Sequence, residues 1–181
     1  EGRLLNRVLR YTEEGWEYEP DQRHAELIVK ELGLEVAKSA ATPGEKLKDS
    51  EIDDAELDAR RATQYRQIAA RANYLAMDRP DIMYAVKEIC RCMSKPTGSA
   101  WAKLKRLGRY LIGRERCVAR YPWQGEESVI NGYTDSDWGG CQKTGLSTSG
   151  GLVRIGDHWL KSWSKTQSSI TLSSAEAELV A

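Results

Sequence analysis

No apolar run in this sequence approaches the roughly 18 residues that a membrane span requires, and no basic-plus-apolar leader follows Glu1. A membrane-spanning helix and a secretory signal are therefore not expected. The four cysteines, Cys90, Cys92, Cys117 and Cys141, have neither the paired spacing of a zinc ribbon nor the density of a disulfide scaffold. Reduced thiols in an intracellular protein are the expectation, with Cys90 and Cys92 structural. The two histidines, His24 and His158, are far apart and have no ligand-spaced partner, so surface or packing roles are expected ahead of metal or acid–base ones. There is no glycine-rich phosphate loop, no internal repeat and no low-complexity segment. What remains is an ordinary water-soluble composition, 40% hydrophobic with mean hydropathy −0.60, in 181 residues, enough for one domain or two small ones with a real core.

Net charge is also lacking, but only on average, because 27 Lys+Arg balance 27 Asp+Glu. Residues 1–60 carry 9 basic and 16 acidic residues, 61–120 carry 14 and 4, and 121–181 carry 4 and 7. The middle third is strongly cationic between two acidic flanks.

The hydrophobic periods divide the chain in the same places. Residues 3–19 read as a hairpin around Glu13-Glu14-Gly15. A helix follows Pro20-Asp21 with Asp21 as N-cap, Ala25, Ile28, Val29 and Leu32 as its apolar face, and Gly33-Leu34 as a Schellman-type stop. From Ala37 to Arg60 periodicity disappears and Glu51, Asp53, Asp54, Glu56 and Asp58 accumulate, which predicts an exposed connector and the domain boundary. Residues 62–112 hold three helical stripes punctuated by Pro80 and Pro96, expected to pack as a small antiparallel bundle. After Gly113 the period becomes that of strands: Val118–Tyr121, Ile130–Thr134, Gly150–Ile155, His158–Trp163 and Ser169–Leu172, the last three forming a meander with a two-residue Gly156-Asp157 turn. Ser173 and Glu176 have capping-box spacing at the start of a helix. With no stop signal before Ala181, that helix suggests a chain cut from a longer protein. The fold class is α+β: an N-terminal hairpin and helix, a basic three-helix segment, then an antiparallel meander with the start of a helix.

Two groups of residues could carry chemistry. In Tyr133-Thr134-Asp135-Ser136-Asp137-Trp138 a β-branched strand ends in alternating carboxylates, and Glu176 and Glu178 offer others from a helix start. Oxygen ligands gathered in this way hold Mg²⁺. The same residues also make sense structurally, Asp135-Ser136-Asp137 as a turn before Gly139-Gly140 and Glu176 as a capping glutamate. Lys103, Lys105, Arg106 and Arg109 lie off the apolar stripe of the third helical segment. With Trp101 and Tyr110 nearby they fit a surface that tracks a phosphate backbone, or simply a solvated helix face.

The ordered set of motifs resembles the C-terminal part of the Pol polyprotein of copia-type LTR retrotransposons over nearly the whole chain. Tyr65-Arg66-Gln67-Ile68, Tyr74-Leu75, Arg79-Pro80-Asp81-Ile82, Lys95-Pro96-Thr97, Trp101, Leu104-Lys105-Arg106 and Arg109-Tyr110-Leu111 resemble the region after the polymerase palm. Gly132 to Gly140, Ser147-Thr148-Ser149-Gly150, Ser162 to Gln167 and Leu172 to Glu178 resemble the start of its RNase H domain. More loosely, the N-terminal hairpin and helix resemble the last palm strands, with Thr42-Pro43 at the joint before the thumb. The resemblance implies a palm end and acidic linker over 1–60, a thumb- or connection-like segment over 61–116 and a truncated RNase H-like domain over 117–181.

It also implies two-metal hydrolysis of the RNA strand of an RNA–DNA hybrid, with Mg²⁺ or Mn²⁺ held by Asp135 and Glu176, and with Asp137 and Glu178 as nearby alternates. Implied partners are an RNA–DNA hybrid and the rest of the polyprotein, in the cytoplasm, the nucleus or a virus-like particle. The family's further aspartates come from a strand and a helix beyond the first helix, so this chain is expected to hold a half-built site. Asp53-Asp54, the adjacent aspartate pair in the acidic linker, does not have the Tyr-x-Asp-Asp setting of a polymerase, which argues against polymerase activity. The contrasting expectation is a degenerate or domesticated remnant that binds nucleic acid or protein without catalysis.

Overall fold

The computed structural model describes residues 1–45, 52–126, 128–141 and 143–181. Glu51 of the acidic stretch lies outside them. The fold is α+β, with strands β1 (Gly2–Leu4), β2 (Arg7–Thr12) and β3 (Gly15–Glu19), then helices α1 (Arg23–Glu31), α2 (Ala59–Ala76), α3 (Pro80–Cys90) and α4 (Gly98–Ile112). Strands β4 (Ala119–Pro122), β5 (Ile130–Asp137), β6 (Thr148–Ile155) and β7 (His158–Thr166) and helix α5 (Ser174–Val180) follow. One sheet has the order β1-β2-β3-β4 and the other β5-β6-β7. The chain forms two compact units, Glu1–Leu9 with Glu19–Val118, and Arg10–Tyr18 with Ala119–Ala181.

In the first unit the core lies among the helices, where Ile28, Tyr65, Ile68, Ile82, Ile89, Leu104, Leu107 and Leu111 are fully enclosed. The three helical stripes read from the sequence are those that point inward. Asp58 caps α2 by accepting from the Arg61 N–H at 2.9 Å, and Thr97 caps α4 through Ala100. Pro80 occupies the first turn of α3, where its missing N–H has no intrahelical role. The Schellman stop of α1 forms as expected: Gly33 has φ +65° and donates to the Lys30 carbonyl, while Leu34 donates to Val29. Asp21 is not the N-cap. Gln22 holds that position without a side-chain cap, and Asp21 accepts from the Arg23 backbone and guanidinium instead. The first strand was not legible in the sequence. Leu5 and Asn6 both have positive φ and turn the chain between β1 and β2, so that the expected hairpin gains a third strand.

A polar group is enclosed within the same unit. Arg79 is 1% exposed, and it donates two hydrogen bonds to Asp81, at 2.8 and 2.7 Å, and one to the Arg114 carbonyl at 3.1 Å. Asp81 also accepts from the Tyr110 hydroxyl at 3.0 Å. Burial works to raise the Asp81 carboxyl, but the hydrogen bonds and charge of Arg79 outweigh it and hold the group below the usual carboxylate range. The Arg79-Pro80-Asp81 tripeptide is therefore a self-paired staple that starts α3 and ties it to the backbone just after α4.

In the second unit β5, β6 and β7 form an antiparallel meander, with Asp135 opposite Gly150 and Gly150 opposite Ser164. The Gly156-Asp157 turn joins β6 to β7 as expected, with Gly156 at φ +53°. Ser169–Leu172, however, is not a strand, and the third member of the meander is β5. The groups that a ladder would need are used otherwise: the Thr171 carbonyl accepts from the Trp138 indole at 3.1 Å, and the Leu172 N–H donates to Glu176 at 2.6 Å.

Candidate functional site

The strand–helix carboxylate group lies wholly within the second unit and is built around α5. Ser173 caps this helix by accepting from the Glu176 N–H at 3.1 Å. Glu176 reaches back to the Leu172 N–H rather than to that of Ser173, so the capping box closes one residue early. Gln167 seats the helix on the sheet, its amide donating to Ser149 Oγ at 3.1 Å and to the Ala177 carbonyl at 2.8 Å, and Ala177 is fully enclosed. Ser147, also enclosed, accepts from the Gly139 N–H and meets the Thr171 hydroxyl. These bonds give a physical role to Ser147, Ser149 and Gln167, residues singled out in the sequence only as parts of motifs.

Successive helical residues are separated by 100°, so Glu176 and Glu178 point about 200° apart and cannot serve one site together. Glu178 is the one that meets the sheet: its Oε1 accepts from the Ser136 N–H at 3.2 Å across 42 residues of sequence. Ser136 lies between Asp135 and Asp137. Asp135 is exposed on β5. Asp137 is engaged elsewhere, accepting from the Thr148 N–H and standing so close to Gly140 that a Cβ there would collide with its carboxylate. Among the described residues, no group of three or more His, Cys, Asp or Glu is arranged to hold a metal ion.

One glycine beneath this site is sterically fixed. The Trp163 indole lies across Gly151, and a Cβ there would enter the ring. Gly151→Val is expected to destabilise the second unit by about 2 kcal/mol through displaced packing, measured as a lower midpoint in urea. An unchanged midpoint would show that the indole moves freely.

The cationic residues of α4 are placed unequally. Lys105 is exposed and Lys103 half-buried. Arg106 donates to the Thr42 carbonyl and hydroxyl, at 3.0 and 2.9 Å, and to Glu45 at 2.8 Å; Arg109 donates to the Lys38 carbonyl at 2.8 Å. Two of the four residues expected to be free for phosphate thus hold residues 38–45. Sequence periodicity could not show this, because their partners lie 61 to 71 residues away. The histidines pack as expected: His24 lies on the Tyr74 ring and is lowered by burial, and His158 sits on Tyr121 and 2.7 Å from the Pro122 carbonyl.

Comparison with known proteins identifies homologues. The chain is 38% identical over 116 residues to the retrovirus-related Pol polyproteins from transposons RE2 and RE1 of Arabidopsis thaliana, a match covering 64% of this chain and 8% of each polyprotein. The homologues of this chain are copia-type retrotransposon Pol polyproteins, of whose length it spans about a twelfth. An uncharacterized mitochondrial protein of the same plant is 32% identical over 157 residues, 86% of this chain and 64% of that protein. No family model and no solved structure matches the chain. Among the described residues of this chain, no helix is long and apolar enough to cross a membrane.

Proposed function

We propose that this segment comes from the reverse transcriptase and RNase H end of the polyprotein, and that the parent hydrolyses the RNA strand of RNA–DNA hybrids. On this reading residues 1–60 are the palm end and linker, 61–116 the thumb- or connection-like helices, and 117–181 the start of the RNase H domain. The observation that carries it is the Glu178–Ser136 hydrogen bond, which brings a helix carboxylate to the strand that bears Asp135. Carboxylate oxygens are the donors that Mg²⁺ and Mn²⁺ take, and Asp135 with Glu178 could share one cation whose remaining ligands are water. A bound pair of such ions supplies water activation and stabilisation of the leaving oxygen. A pair needs more carboxylates than these two, so the residues present fit one ion and half of a two-ion centre. Asp135 and Glu178 would orient the ion, and Lys103 and Lys105 would contact the nucleic-acid backbone.

The reading of a degenerate or domesticated remnant draws support from a different observation. Asp137 accepts from the Thr148 N–H, Glu176 from the Leu172 N–H and Glu178 from the Ser136 N–H, so three of the four candidate carboxylates each already have one oxygen engaged by the backbone. The two readings separate in an assay of labelled RNA–DNA hybrid with this chain and with a form extended by the downstream polyprotein sequence, each with an Asp135→Asn control. The chain alone is expected to give no reverse transcription and at most trace cleavage in Mg²⁺ or Mn²⁺. The extended form is expected to cleave and to stop cleaving as Asp135→Asn. An inactive extended form would favour the remnant.

A further inference from the structure

Two described stretches between α1 and α2 contact α4 at opposite ends, residues 38–45 near its C-terminal half and residues 53–57 at its start. The Ala40 N–H donates to the Arg109 carbonyl and Arg109 to the Lys38 carbonyl; Arg106 holds Thr42 and Glu45. At the start of the helix, Ser99 and Asp53 exchange two bonds, the Gly98 N–H donates to the Ala55 carbonyl, Glu56 bridges Thr97, and Leu57 donates to the Pro96 carbonyl. Gly98 lies against Asp53, so that a Cβ there would displace the Asp53 carboxylate. Glu45 pairs with Arg106 at 2.8 Å and Glu56 with Lys95 at 3.7 Å.

Residues 38–45 are balanced in charge, with Lys38 and Glu45, but residues 52–58 are opposite in charge to residues 95–109. Residues 95–109 contain Lys95, Lys103, Lys105, Arg106 and Arg109 and no acid, while residues 52–58 contain Asp53, Asp54, Glu56 and Asp58 and no base. The Arg106 guanidinium is satisfied by a carboxylate, a hydroxyl and a carbonyl, all oxygen acceptors like those of a phosphodiester. We propose that residues 38–45 and 53–57 form a strap that occupies Arg106 and Arg109 of α4, and Lys95 before it, in place of a phosphate backbone, so that nucleic acid reaches these three groups only by displacing it. This rests on the reading of α4 as a nucleic-acid surface and adds a gate to it.

Both ion pairs are partly or largely exposed, so each contributes little to stability, and salt screens them. An intramolecular anion competes at high effective concentration, and its charge repels an incoming phosphate.

The test is the affinity of the full chain for a 20-base-pair RNA–DNA hybrid, comparing the wild type with Glu45→Gln/Glu56→Gln, with amide exchange of Ala40 followed in the wild type. The double variant is expected to bind about five- to tenfold more tightly at 50 mM salt, with the advantage shrinking as salt rises. Hybrid is expected to accelerate exchange at Ala40, whose N–H is released with the strap. This second readout needs no variant to fold. Equal binding by both forms with Ala40 unaffected would overturn the strap and leave the nucleic-acid surface standing. Binding by neither form at 20 mM salt would overturn both.

Discussion

In the extended polyprotein segment, Glu178→Gln is expected to lower RNA–DNA hybrid cleavage by about a hundredfold to a thousandfold, while Glu176→Gln lowers it by less than tenfold. The difference follows from the direction of two side chains on one short helix. Glu178 reaches the backbone beside Asp135, whereas Glu176 is bonded to Leu172 at the start of α5. Losing a metal-bearing carboxylate removes transition-state charge stabilisation, which reduces rate by orders of magnitude. Losing a capping contact costs about 1 kcal/mol of helix stability and leaves the reacting atoms untouched. Both variants are compared at saturating Mg²⁺. Equal losses, or a greater loss at Glu176, would place the helix carboxylate of the site at 176 instead.

Asp81→Asn is expected to destabilise the helical unit by about 2 to 3 kcal/mol, below the roughly 3 to 5 kcal/mol for removing one partner of a fully buried ion pair because the Asp81 side chain is 30% exposed. The cause is the cation left behind. The Arg79 side chain is 2% exposed and would keep only the Arg114 carbonyl and a neutral amide as partners. Arg79→Met/Asp81→Asn should be less destabilised than Asp81→Asn alone, because the double change removes the stranded charge. Chemical denaturation of the wild type, the Asp81→Asn variant and the double variant measures both effects. The pH dependence has a defined sign. The Asp81 carboxyl is held below its unfolded value, so its contribution is present above about pH 4 and is lost as pH falls through the lower folded value. Acid should therefore narrow the gap between wild type and Asp81→Asn.

Features set by neighbours in sequence were legible before the structure. The inward stripes of α2, α3 and α4, the Schellman stop at Gly33 and the Gly156 turn all depend on residues a few positions apart. The first turn was not legible, because Leu5 is an unusual residue for positive φ and announces no bend. Ser169–Leu172 was misread because β propensity ignores two side chains, those of Trp138 and Glu176, that take up its backbone groups. The candidate carboxylates were legible as residues near a strand end and a helix start, while their hydrogen-bond partners were not. The sequence reading puts Glu176 first and Glu178 as its alternate, whereas in the structure it is Glu178 that hydrogen-bonds to β5 and Glu176 that bonds to the Leu172 N–H. The α4 cations had the reverse history: their positions were read correctly, but the strap on Arg106 and Arg109 comes from residues too distant for any local pattern to reveal.

The claim that Asp135 and Glu178 form the ion-binding part of a nuclease site is tested most directly by adding substoichiometric Mn²⁺ to the isotopically labelled chain. Paramagnetic broadening reports where the ion sits without requiring turnover. Broadening is expected first at residues 134–137 and 177–179, and is expected to disappear from both in Asp135→Asn. Broadening confined to 172–176, or to the acidic residues 53–58 with β5 unaffected, would contradict the account.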